Sequence, residues 1–150
     1  MRKSLATLTA LAITAGGILG TTGPAQAAPA VRFSAAQYDS PGSDTRSNKS
    51  LNAEWISVVN TGTKAVSLKG WKIVDKSRTY TFGDVTIAGK GGKVTLHTGK
   101  GTNTKTHLYW GSGNYVWNNT GDAARLSDAS GRTVDVCSWE SEKGRARVAC

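Results

Sequence analysis

Apolar residues recur at every second position in several short stretches, the period of a half-buried β-strand. In Glu54–Asn60, Ile56 and Val58 share one face, while Trp55, Ser57 and Val59 share the other. Trp71 and Ile73 share a face, as do Tyr80 and Phe82, Val94 and Leu96, Ala124 and Leu126, and Val134 and Val136. Each of these pairs is predicted to point inward. Trp71 is the predicted principal anchor, because a buried Trp removes a large apolar area from water and its truncation costs roughly 3–5 kcal/mol. A first strand is predicted over Val31–Tyr38, and Val85-Thr86-Ile87 adds a short apolar piece.

Turn chemistry separates these stretches. Asn60-Thr61-Gly62, Gly89-Lys90-Gly91-Gly92 and Ala129-Ser130-Gly131-Arg132 place glycine where a positive φ is tolerated. The second of these is not a phosphate loop, since no helix follows and no hydroxyl residue follows its Lys. Asp39–Asn52 is predicted as a long polar loop, and Gly99–Lys105 as a flexible basic one. The aromatic residues concentrate in 107–121, and no stretch shows the period of a helix. Short strands at this spacing, with 18 Gly in 150 residues, predict an all-β sandwich.

The first 27 residues stand outside that pattern. Met1-Arg2-Lys3 is basic, Leu5–Leu19 is mostly apolar and uncharged, and Ala25-Gln26-Ala27 fits a small-x-small cleavage site. Residues 1–27 therefore read as a secretory signal peptide. Their apolar run is short for a bilayer span of ~20 residues. The domain is then predicted over 28–150, with a core of about 31–139 and a tail of 140–150. Secretion places both cysteines, Cys137 and Cys150, in an oxidising compartment, where a pair is expected to be bridged. That bridge closes a loop of roughly 14 residues, worth about 3 kcal/mol by chain entropy, and ties the tail to the sandwich. The same spacing makes a poor metal site.

Charge adds a partner class. The chain carries 19 Lys and Arg against 10 Asp and Glu. The excess gathers between Lys64 and Lys105, where nine basic residues face only Asp75 and Asp84. Lys72, Lys76, Arg78, Lys93, Lys100 and Lys105 form a candidate surface for an anionic polymer, nucleic acid or a cell-wall polymer. Trp110, Tyr115 and Trp117 form a candidate aromatic surface for a glycan. A protein-interaction or adhesion module is the third possibility, and it needs no site chemistry. An enzyme is not expected: His97 and His107 have no clear carboxylate partner, and no nucleophile, base and orienting group stand in a recognisable set. No cofactor is expected. Asp39 and Asp44 are candidate calcium ligands, although few carboxylates converge there. Asn48-Lys49-Ser50 and Asn118-Asn119-Thr120 match the glycosylation sequon.

In order and spacing the chain resembles the lamin-tail domain family. The resemblance rests on Glu54-Trp55-Ile56 with Asn60-Thr61-Gly62, on Val66-Ser67-Leu68-Lys69-Gly70-Trp71-Lys72-Ile73, and on Thr79-Tyr80-Thr81-Phe82. It continues through Val94-Thr95-Leu96, Leu108-Tyr109-Trp110, Trp117–Asp122 and Leu126–Asp135, covering about Val31 to Trp139. The resemblance implies an immunoglobulin-like sandwich of the bacterial secreted, single-domain kind, with no shared catalytic residues. It implies protein binding, and for nuclear members an association with chromatin and DNA. The heptad rod of nuclear lamins is absent from this sequence, so filament assembly does not carry over.

Overall fold

The computed structural model describes residues 29–76 and 78–150. The predicted signal peptide lies outside the described residues. In chain order the elements are β1 (Val31–Gln37), α1 (Asn48–Ala53), β2 (Trp55–Asn60), β3 (Val66–Ser67), β4 (Lys72–Asp75), β5 (Arg78–Thr81), β6 (Thr86–Ile87), β7 (Gly92–His97), β8 (His107–Tyr109), β9 (Gly121–Ser127), β10 (Thr133–Glu140) and β11 (Arg147–Ala149). They form the expected all-β, immunoglobulin-like sandwich. One sheet has the order β11-β1-β2-β7-β8, the other β10-β9-β4-β5, and β3 pairs with β6 in a small ribbon. Every pairing is antiparallel except β7 with β8, which run parallel.

The core fills from the inner faces as alternation predicts. Ile56, Val58, Ile73, Phe82, Val94, Leu96, Ala124 and Leu126 are all buried. A chain of aromatic contacts crosses this core. Tyr38 stacks on Trp139 with centroids 5.1 Å apart, and Trp139 meets Trp117 at 5.8 Å. Trp117 meets Trp110 at 5.9 Å, Trp110 meets Tyr80 at 5.8 Å, and Tyr80 meets Phe82 at 5.3 Å. Polar tips find backbone partners, as buried Tyr and Trp require: Tyr38 Oη donates to the Arg145 carbonyl, and Trp139 Nε1 to that of Asn118.

Trp71 is not the principal anchor. It is half-buried and packs against the edge of the core. The reason is local: Gly70 has a φ of +78°, so Trp71 sits in the turn before β4, its N–H bonded to the Leu68 carbonyl. Leu68, fully buried, takes the inner position. Tyr80 is likewise half-buried rather than enclosed.

Two β-bulges shift the alternation, and the one in β10 inverts the predicted parity. In β10 the register shifts between Thr133 and Asp135, so Val134 is the extra residue. Beyond it Cys137 and Trp139 face inward, and Val136, predicted to be inside, is 52% exposed. A matching shift between Phe33 and Ala35 turns Ala36 inward in β1, and Tyr38 just beyond it.

The polar loop after β1 contains a short helix, α1, that the alternation gives no hint of. Ser47 caps it, its hydroxyl accepting from the Ser50 N–H at 3.2 Å. The amides of Asn48 and Asn52 both donate to the Lys100 carbonyl at 2.9 Å, and Asn48 Oδ1 accepts from the Lys100 N–H. The loop predicted to be flexible is thus tied down at Lys100. Gly99 is required there, since a Cβ would fall 2.5 Å from Asn52 Oδ1.

Cys137 and Cys150 are bridged as expected, with Cα atoms 5.4 Å apart. The tail does more than hang from this bond. Its residues Arg147–Ala149 pair with Ala35–Gln37, adding β11 to the edge of the five-stranded sheet. The disulfide therefore joins the two sheets along one side. On the same side Asp135 Oδ2 accepts from the Phe33 N–H at 2.8 Å.

Trp117→Ala is expected to lose roughly 3–5 kcal/mol in urea unfolding, and Trp71→Ala only about 1–2 kcal/mol. The reverse order would show that the aromatic chain is not the centre of the core. Replacing both cysteines by Ala is expected to lose about 3 kcal/mol. It should also speed amide exchange at Arg147–Ala149 more than at Val94–Leu96; equal rates at both places would argue against a tethering role.

Candidate functional site

The sandwich disperses the candidate basic surface. Lys72 lies on the outer face of the four-stranded sheet, and Lys93 on that of the five-stranded sheet, so they point in opposite directions. Lys76 lies 3.7 Å from Asp122. Arg78 is spent on structure, its guanidinium donating to the Tyr115 carbonyl at 3.0 Å. Lys100 and Lys105 are exposed in the connection between β7 and β8. Lys105 borders an open cleft of about 780 Å³ whose other walls include Tyr80, Asp84, Asn103 and Leu108.

The candidate aromatic surface is also not assembled. Trp117 is 3% exposed and belongs to the core, and Trp110 is half-buried beside it. Tyr115 is half-buried, with its hydroxyl 2.7 Å from that of Ser50. These rings hold the 110–117 segment down, and that is why the sequence concentrates them there. Of the two candidate calcium ligands, Asp39 accepts from Asn119 at 2.9 Å and Asp44 is exposed. Among the described residues, no three His, Cys, Asp or Glu side chains gather at metal-binding spacing.

A different set converges on the outer face of the five-stranded sheet. The register aligns Arg147, Gln37, Trp55, His97 and Tyr109 in one row across all five strands. The Arg147 guanidinium lies 5.1 Å from the centre of the Trp55 ring, within cation–π range. His97 and Tyr109 lie ring to ring at 5.2 Å. A second row brings Ala149, Ala35, Ser57, Thr95 and His107 together, and Arg32, Val59 and Lys93 follow below. No Asp or Glu occurs in any of the five strands. Alternation alone put His97 on an outward face and Trp55 opposite Ile56 and Val58 without settling its exposure, and it could not join either to Arg147 in the C-terminal tail.

His97 closes β7 and is positioned from behind by α1, its Nδ1 lying 2.8 Å from the Asn52 carbonyl. Burial lowers its pKa from the ordinary histidine value; the Asn52 contact opposes this, and neighbouring His107 adds to it. Burial therefore favours the neutral ring.

Three buried carboxylates lie beneath the surface. Glu54, immediately before β2, is 1% exposed. Its Oε1 accepts from Thr98 Oγ1 at 2.5 Å and from the Val116 N–H at 2.8 Å, while Oε2 has no partner. Burial dominates over these hydrogen bonds and pushes its pKa up to about 7. Asp75 and Asp122 are both buried at the end of the four-stranded sheet. Burial and the adjacent Asp122 carboxylate raise the pKa of Asp75. Glu54 joins the start of β2 to the end of β7 and to the 116 segment, so it holds Trp55 and His97 in register. Alternation alone cannot find it, because a Glu at a strand start reads as solvated.

Among the described residues no helix is long and apolar enough to cross a membrane. A family model described as Lamin Tail Domain matches residues 24–141. No curated protein matches the chain.

Glu54 makes stability depend on pH. An unfolded Glu releases its proton near its model value of 4.5, whereas the folded chain holds it to about 7. The native state binds the extra proton between those values, so stability from this group is greatest below 4.5 and falls as pH rises through 7. The shift corresponds to roughly 3 kcal/mol. Urea midpoints at pH 5 and pH 8 should show Glu54→Gln gaining on the parent chain at pH 8 and matching it at pH 5. An equal difference at both pH values would mean Glu54 is ionised throughout.

Proposed function

The chain belongs to the lamin tail domain family, and from that premise we propose that it is a secreted, non-enzymatic protein-interaction module. Its contact surface is the outer face of the five-stranded sheet. The observation that carries this reading is the row Arg147–Gln37–Trp55–His97–Tyr109, flanked by Arg32 and Lys93 on strands without a carboxylate. Arg, Trp and Tyr are the residues that most often supply binding energy at protein interfaces. A sheet face also presents them from a rigid support. The absence of acidic groups selects a partner surface that carries them. Export is supported by the signal-peptide pattern of residues 1–27 and by the Cys137–Cys150 bridge, which suits an oxidising compartment.

A second reading, an anionic polymer such as nucleic acid or a cell-wall polymer, draws on the same cationic groups. Here base or sugar rings would pack on Trp55 and Tyr109, and Arg32, Lys93 and Arg147 would neutralise phosphates. The two differ in their response to salt. Polymer binding falls steeply with ionic strength, whereas a protein contact centred on Trp55 retains its apolar part. The glycan reading has no comparable support at Trp110, Tyr115 and Trp117, since Trp117 lies in the core and Trp110 packs against it, so the three rings share no open face.

Trp55→Ala and Arg147→Glu, made separately, are expected to weaken capture of an acidic cell-surface or secreted protein at least about tenfold, or ~1.4 kcal/mol. Lys72→Glu, on the opposite sheet, should leave capture unchanged. Capture that survives both face substitutions, or that Lys72→Glu abolishes, would remove this face as the contact surface. Retention on DNA or wall-polymer resin that collapses between low and moderate salt would favour the second reading.

A further inference from the structure

Two imidazoles meet on the outer face in a way that the binding role does not use. Parallel pairing sets Thr95 opposite His107 and His97 opposite Tyr109, so the two histidines are diagonal neighbours on one face. His97 Nε2 and His107 Nδ1 are 3.0 Å apart. The ring centroids are 5.3 Å apart and the planes are inclined by only 21°. That separation exceeds the nitrogen gap by about two ring radii, so the nitrogens face one another along the line between the rings.

The second nitrogen of His97 is committed. Its Nδ1 lies 2.8 Å from the Asn52 carbonyl, which can only accept. Nδ1 therefore carries the ring proton, and Nε2 presents a lone pair toward His107. Histidines that ligate metals are oriented in this manner, by donating the other N–H to a carbonyl or carboxylate. His107 is exposed, and water reaches its outer nitrogen. His107 Nδ1–H donates to this Nε2; moving that proton to the outer nitrogen through solvent breaks the hydrogen bond and frees a second lone pair, with no net proton released. The Tyr109 ring packs beside His97 at 5.2 Å and limits its rotation.

We infer that His97 and His107 form a binding site for a copper ion, with water completing its coordination. Ligand nitrogens at about 2.0 Å from one ion lie roughly 3 Å from each other when adjacent; the present pair is at that distance but in line, so the exposed His107 ring turns aside from the line for both lone pairs to meet one ion. Nitrogen donors with no carboxylate in the surrounding strands exclude hard, oxygen-seeking cations. Among divalent first-row ions copper binds such donors most strongly. Structural and catalytic zinc sites use three or four protein ligands, and the described residues bring no such group together.

The test is a titration of the disulfide-intact chain, without a histidine tag, with Cu(II) at pH 7. Calorimetry gives stoichiometry and affinity, and electron paramagnetic resonance counts ligating nitrogens. One equivalent is expected, with nitrogen splitting from two imidazoles and weaker binding of Zn(II). His107→Ala removes an exposed ring that does not enter the core, and should lower affinity at least tenfold with an unchanged melting temperature. His97→Gln should do the same. No binding of copper overturns the inference. So does an affinity unaltered by His107→Ala, which would assign the ion to the amino terminus or backbone, and so does tighter binding of zinc than of copper.

Discussion

A continuous run of six aromatic rings, from Tyr38 through Trp139, Trp117, Trp110 and Tyr80 to Phe82, is the contact on which the rest of the structure depends. Its members come from the end of β1, from β10, from β5 and the residue after it, and from the long connection between β8 and β9, segments far apart in the chain. Each ring packs on the next, Tyr38 stacked on Trp139 and most of the others edge to face. Together they hold the two sheets at one spacing. The disulfide and the Asp135–Phe33 hydrogen bond then close the side where the run begins. Removing a ring from the middle leaves a cavity against both sheets, whereas removing the half-exposed Trp71 leaves one open to solvent.

This use of the aromatic residues decides where recognition can occur. Trp110 and Trp117 are consumed by the core, so the most aromatic segment of the chain is a structural strap. Trp55 and Tyr109, each half-buried, lie instead on the outer face, on strands whose inner faces are already filled. Strand β2 sits at the centre of its sheet with Ile56 and Val58 inside, and Trp55 carries Arg147 on the other side. Glu54 lies at the junction of these layers. It bonds to Thr98, next to His97, and to Val116, next to Trp117. Its protonation thus bears on the same strand ends that display the outer row.

Most strands were legible because alternation of side chains follows directly from the geometry of extended chain. Ile73, Phe82, Val94, Leu96 and Leu126 lie where that rule puts them. The rule failed where one residue was inserted. Past Val134 every side chain changes face, which exposes Val136 and turns Cys137 inward. Nothing local marks the bulge, since it is fixed by how β10 must meet β9 and also reach β1. Helix α1 was missed for a related reason: it is too short for a period, and its support comes from Lys100, remote in sequence. The outer row was missed because its five members come from five separate strands.

The sequence by itself determined the class of fold, the inward faces of most strands, the lamin-tail family and the pairing of its two cysteines. Each of these follows from local periodicity, from the order of short motifs, or from there being only one possible pair. The tertiary structure alone decided which aromatic rings are inside, that the basic residues divide between two opposed faces, and that Arg147, Trp55, His97 and Tyr109 share one surface. Those outcomes depend on strand order and register, which are set by long-range packing, and no window along the chain contains them.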